Sequence, residues 1–212
     1  MAHEHRPLYD VTFAVLDVET TGGSPADDAL TEVGAACWRG GELLGTFSTL
    51  VDPGGPIPEP VSALTGITDA MVTGAPTAAV VLADLTGFVG EAVVVGHNLR
   101  FDLAFLGAVA ARSGWPPLDN TTVDTLALAR RLVRDDVPDC RLGTLARVLR
   151  LDHLPTHRAL ADVLATGDLL HRMIELATGF GVLCLGDLLE FATASAPGRR
   201  RPRQRGDTAS AA

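Results

Sequence analysis

The 212-residue chain contains no lysine and a single tyrosine, and aromatic residues make up only 5% of it. Its three cysteines, Cys37, Cys140 and Cys184, are odd in number and far apart. That spacing excludes both a disulfide framework and a CxxC zinc site, and leaves reduced thiols acting as small structural residues. No apolar run approaches the ~20 residues that a membrane-spanning helix needs. The opening residues MAHEHRPLYD hold no apolar signal stretch, so the expected compartment is the cytoplasm, with no membrane partner.

Positive charge is scarce as well. Seventeen arginines face 26 acidic residues, for a formal net charge of −9. A protein that coats nucleic acid regardless of sequence needs a broad cationic surface to displace counterions, and this composition excludes one. It leaves room for local contacts with a polyanion over a small area.

What is present is 47% hydrophobic residues with 20% charged, enough for one globular domain with a real core. Val11–Val18 reads as a strand, and Thr31–Trp38 with Glu42–Val51 as a hairpin turned at Gly40-Gly41. Residues 22–25 and 52–60, rich in glycine and proline, are loops. Short helical turns are expected at Val61–Thr65 and Thr68–Val72, then a helix over Pro76–Val89 and a buried strand at Ala92–Gly96. Asn98 is expected to cap a helix running to Ser113. An extended piece at Thr122–Thr125 leads into a helix through Leu132, and Leu142–Leu149 and Ala159–Leu176 are further amphipathic helices. Three antiparallel strands, followed by strands that join in parallel, predict an α/β fold with a mixed central sheet flanked by helices. Residues 1–10 are expected to be disordered, 11–178 to form the domain and 179–194 a helical connector. Residues 195–212, with five of the 17 arginines, read as a disordered arm.

Three patterns carry chemistry. In Asp17-Val18-Glu19, at the end of the first strand, residues two apart point to one face, so two carboxylates stand side by side. In a partly buried place they cannot both ionise cheaply unless a cation neutralises them, and oxygen-only ligands select Mg²⁺ or Mn²⁺ over zinc. In Gly96-His97-Asn98-Leu99-Arg100-Phe101-Asp102, the segment leaves the C-terminal edge of a strand, where α/β proteins build sites. Asp102 falls in the first turn of the following helix, His97 reads as a packed strand-end residue and Phe101 as core. In Pro155-Thr156-His157-Arg158-Ala159-Leu160-Ala161-Asp162, the proline places His157 in the loop entering a helix, from which it can swing over a site that Asp162 helps to form. An imidazole with an ordinary pKa near 6.5 is a natural proton acceptor there.

In this order, LDVETTG (16–22), GHNLRFD (96–102) and HRALAD (157–162) resemble the three exonuclease motifs of the DEDD superfamily in its histidine-bearing, DEDDh or DnaQ-like branch. LTGIT (64–68), VDTLALAR (123–130) and RLGTLA (141–146) are similar to that branch's members of the DNA polymerase III epsilon-subunit type. The resemblance covers about Phe13 to Leu176 and implies a ribonuclease H-like fold. It implies a 3′→5′ exonuclease that releases nucleoside 5′-monophosphates with two divalent cations, Mg²⁺ or Mn²⁺. Asp17, Glu19, Asp102 and Asp162 would hold the ions, with Asp17 bridging them, and His157 would take the proton from the attacking water. The backbone around Thr20 and Thr21 and the Leu64–Ile67 segment would cradle the last nucleotides, with Leu64 or Ile67 wedged against the terminal base, and His97, Asn98 and Phe101 would also contact the substrate.

The implied substrate is a single-stranded or frayed 3′ end, DNA ahead of RNA. An exoribonuclease of the same fold, similar to oligoribonuclease or RNase T, is the alternative, because the motifs do not identify a reader of the 2′-hydroxyl. A non-catalytic module of a polymerase or repair complex is a third reading, opposed by the intact set of five motif residues. The segment at 186–192 and the arginine-rich arm resemble the connector that joins such domains to a UvrC-like endonuclease domain, which makes a repair nuclease or a polymerase the expected partner.

Overall fold

The computed structural model describes residues 5–193, and the arm expected over 195–212 lies outside them. Strands β1 (Thr12–Thr20), β2 (Leu30–Arg39) and β3 (Glu42–Leu50) form an antiparallel meander. On the other side of β1, β4 (Val93–Gly96) and β5 (Thr122–Asp124) join in parallel, giving the order β3-β2-β1-β4-β5. The predicted mixed sheet is therefore present.

Alternation along the central strand sorts the core into two layers. Ala14, Leu16 and Val18 pack with residues of α3 (Ala78–Val89) and α4 (Arg100–Ser113), among them Leu82, Leu85 and Phe105. Phe13 and Val15 pack on the opposite face with α5 (Thr125–Leu132), α7 (Ala159–Thr178) and α8 (Leu185–Thr193) through Leu128, Leu169, Leu170 and Leu188. Each Val, Leu or Phe among them contributes about 1.5–3 kcal/mol on full burial, so β1 and whatever ends it are held from both sides. The close seat of α7 depends on Gly167, where a Cβ would lie 2.7 Å from the Trp38 ring. Two short helices, α1 (Glu59–Thr65) and α2 (Asp69–Val72), follow the meander, and α6 (Leu142–Leu149) precedes α7.

Three expectations change. Disorder does not extend through residue 10: Leu8–Asp10 forms a 3-10 turn with Leu8 in the core, and Pro7 pairs with Cys184. The helix expected within 179–194 forms, but Leu185 and Leu188 are buried in the same core as α5 and α7, so α8 belongs to the domain and does not lead away from it. Asn98 does not cap α4: the N-cap residue is Leu99, without a side-chain bond, and Asn98 instead takes a left-handed φ of 70°. The three cysteines form no disulfide, and no helix among the described residues is long and apolar enough to cross a membrane.

Candidate active site

Asp17 and Glu19 continue the Phe13, Val15 side of β1, which is the face that α7 covers. The first turn of α7 brings Asp162 to the same place. One carboxylate oxygen from each of these three residues lies within 4.8 Å of the others. Burial raises the Asp17 carboxyl well above its ordinary value, and the nearby charges of Asp102, Asp162 and Glu19 push it further. Glu19 is pushed up to about 7 by burial, with Asp162 and Glu32 adding to the shift. Asp162 is raised by burial too, against opposing hydrogen bonds. Three acids with raised affinity for protons, all offering oxygen, could hold a hard divalent ion.

Asp102 stands apart from this trio. It is buried in α4, which packs on the other face of the sheet, and its Oδ1 accepts the Val18 amide at 3.1 Å. That amide lies beyond the end of β4, whose pairing with β1 stops at Val15. Asp102 thus reaches the site past the strand end, beneath the β1 backbone. Burial pushes its carboxyl up to about 8, and the amide bonds it accepts pull the other way.

The loop before α7 is folded around Asp162, whose Oδ1 accepts the amides of Thr156 (2.8 Å) and His157 (3.2 Å). His157 has a left-handed φ of 59°, an uncommon conformation for a residue with a side chain, and its imidazole is exposed. The backbone bonds and the helix start together fix where the ring is attached, and leave the ring itself in water beside the carboxylates.

Sequence reasoning missed what anchors this loop. Opposite Glu19 on β2 stands Glu32, and opposite Asp17 stands Gly34. Glu32 is 3% exposed and takes a bidentate grip from Arg158, Nε at 3.0 Å and a terminal nitrogen at 2.8 Å, plus the Ala159 amide at 2.9 Å. Like charges opposite each other across two strands are unfavourable, and Arg158 offsets this one. Gly34 lets the start of α7 touch the sheet: a Cβ there would lie 2.6 Å from the Ala159 carbonyl carbon. The only hint in the sequence is one acid within the apolar run Leu30–Trp38.

The residues expected to border a substrate divide. The Thr20 hydroxyl donates to the Gly22 carbonyl at 2.6 Å, and the Thr21 hydroxyl serves Asp28 and the Ala29 amide, so both side chains are spent within their own loop. Leu64 is 57% exposed, whereas Ile67 is fully buried with Ile57 and Val72 and cannot wedge against a base. Phe101 packs at 5.0 Å from Phe105 against the core. His97 uses both ring nitrogens internally, toward the Thr125 hydroxyl at 3.0 Å and the Cys140 carbonyl at 2.8 Å. Asn98 is exposed, with its amide held by Asp124.

A match to the RNase_T exonuclease family covers residues 14–170. The chain belongs to this exonuclease family. Its motifs place it in the DEDDh type within the RNase_T exonucleases. A Mycobacterium tuberculosis protein with a provisional bifunctional exonuclease/endonuclease name is 44% identical over 193 residues, 87% of this chain and 30% of that one. A PolC-type DNA polymerase III of Halalkalibacterium halodurans is 38% identical over 179 residues, 84% of this chain and 12% of the relative. The chain therefore spans less than a third of the length of either relative. Among solved structures, E. coli Exonuclease I with a dT13 oligonucleotide matches at a TM-score of 0.72 and 22% identity, over 81% of this chain and 43% of that one. Exonuclease X with 5′-overhanging duplex DNA matches at 0.63 and 25% identity, over 85% and 99%. These likenesses make the fold ribonuclease H-like, as the motifs implied.

Proposed function

We propose that the chain is a metal-dependent 3′→5′ exonuclease that hydrolyses the terminal phosphodiester of DNA and releases nucleoside 5′-monophosphates. The observation that carries this reading is the trio Asp17, Glu19 and Asp162, with oxygens within 4.8 Å of one another beside the His157 loop. Divalent cations, two in the full form of the reaction and Mg²⁺ or Mn²⁺ by donor type, would supply Lewis acidity to the phosphorus centre and the departing 3′ oxygen. Asp17, Glu19 and Asp162 would hold them, with Asp102 supporting from beneath β1. The chain itself must then orient the attacking water and accept its proton. His157 is attached where it can do this: its backbone is bound to Asp162, and its ring is free to approach a phosphodiester. Such a base typically contributes about 10²–10⁴-fold.

DNA is favoured because the relatives include PolC-type DNA polymerases and the structural neighbours hold DNA oligonucleotides. The greater length of the relatives supports a polymerase or repair-nuclease context for this domain. The test is digestion of 5′-labelled DNA and RNA, single- and double-stranded, with Mg²⁺, Mn²⁺ or chelator. A ladder of shortening labelled DNA that needs metal is the expected result. Preference for RNA would move the reading to an exoribonuclease, and immediate release of the labelled nucleotide would reverse the polarity.

A further inference from the structure

A cleft of about 750 Å³ opens between the end of β4, α5 and the start of α6, with His97, Asn98, Arg130, Arg134, Asp139 and Arg141 on its walls. Its charge opposes that of the protein. The chain carries −9, yet three guanidiniums and one carboxylate line this space. Among the described residues Arg39, Arg158 and Arg172 each have a carboxylate within 4.0 Å, and the three cleft arginines have none. The one acid, Asp139, is exposed, and its Oδ1 accepts the Arg141 amide at 2.9 Å. The N-terminus of α6 opens onto the same space: its N-cap residue is Arg141, no side chain caps it, and Leu142 of its first turn lines the wall.

The cleft starts one strand away from the candidate active site. β1 and β4 are parallel and their pairing ends with Val15 beside Val95, so Asp17 and His97 each stand two residues past the last pair. Neighbouring strands are ~4.8 Å apart. Gly96 keeps the two strands tight at this end, since a Cβ there would be 3.3 Å from the Leu16 carbonyl. A strand whose terminal phosphodiester sits on Asp17 has this groove as its neighbour.

We infer that the cleft seats internucleotide phosphates of the substrate strand, upstream of the bond being cut. The inference rests on the exonuclease reading and adds the path of the polynucleotide to it. Guanidinium stays charged at every working pH and matches phosphate oxygens with a planar fork, and uncapped helix amides favour the same anion. A net-negative surface repels a polyanion elsewhere, so a local patch of unpaired arginines steers the strand to one side of the acids. This also accounts for an exonuclease composition without a broad basic face: a few phosphates are held, close to the end.

The experiment compares the full chain with an Arg130→Gln, Arg134→Gln, Arg141→Gln variant on a thymidine dinucleotide and a 12-nucleotide oligothymidylate, with Mg²⁺, over a range of salt. The ratio of kcat/KM for the 12-mer to that for the dinucleotide falls about tenfold or more, and the slope of log KM against log salt for the 12-mer shrinks by about 2, near 0.7 per lost contact. An unchanged ratio and slope overturn the inference. So does an equal loss on both lengths, which would put the arginines at the reacting phosphate. A wild-type chain that cuts neither substrate overturns the exonuclease reading itself, a result separable from the other two.

Discussion

Replacing Glu19 by glutamine is expected to stabilise the metal-free protein at pH 8 while abolishing its response to Mg²⁺. Glu19 is the cleanest member of the trio for this purpose, because Asp162 holds loop amides and Asp102 holds the Val18 amide, whereas Glu19 chiefly suffers burial and like charge. Its pKa rises from 4.5 to about 7. The folded state therefore binds the proton more tightly than the unfolded chain does. Below pH 4.5 the penalty is absent; it grows as pH rises and is complete above 7. At 1.36 kcal/mol per pKa unit the gap is about 3.4 kcal/mol, and screening by water at this partly exposed side chain reduces it to about 1–2 kcal/mol. Glutamine keeps the shape and never ionises. Thermal unfolding in EDTA should place the variant about 2–8 °C above wild type at pH 8, at 2–4 °C per kcal/mol for a domain of this size, and level with it near pH 4.5. Saturating Mg²⁺ should raise the wild type and leave the variant nearly unmoved. A variant no more stable than wild type at pH 8 in EDTA would refute the reasoning, because the acid end of β1 would then carry no electrostatic strain for a cation to relieve.

Further outcomes follow from neighbouring residues. His157→Asn, which tolerates the left-handed φ of 59°, should slow turnover by about two to four orders of magnitude while leaving the Mg²⁺-induced rise in Tm intact; unchanged turnover would remove His157 as the base. Arg158→Ala leaves Glu32 buried without its ion pair and should cost about 3 kcal/mol in urea unfolding, so a loss below 1 kcal/mol would contradict the anchoring role. Gly34→Ala drives a methyl into the Ala159 backbone and should cost about 1–3 kcal/mol with a larger loss of metal affinity than of fold, read by titrating Mn²⁺. In the metal-free wild type, stability should fall from pH 5 to 8 as Glu19 near 7 and Asp102 near 8 ionise, and the Mg²⁺-induced rise in Tm should be greater at pH 8 than at pH 6; the opposite trend would contradict the raised pKa values.

The trio was legible because each member follows from local rules. Period two puts Asp17 and Glu19 on one face of a strand, and a helix packed on that face carries Asp162 in its first turn. Asp102 was legible as a motif residue but not in its place, since its distance from the trio depends on α4 crossing the other face of the sheet. The Glu32–Arg158 anchor joins residues 126 positions apart, and an acid in an apolar strand announces a partner without naming it. Asn98 was assigned a cap from its residue type, yet the fold uses its tolerance of positive φ. The Ile67 wedge came from resemblance alone, and tertiary packing with Ile57 and Val72 removes it. The start of the chain looked disordered because its pairing with Cys184 is invisible in a polar decapeptide.

The most direct measurement is anomalous diffraction from crystals of the full chain soaked in Mn²⁺. Density for two ions about 3.5–4 Å apart, bounded by Asp17, Glu19 and Asp162 with Asp102 close by, is the predicted result. A saturated crystal with no manganese peak at the end of β1, or with its peaks elsewhere, would contradict the claim that these carboxylates are gathered to hold cations.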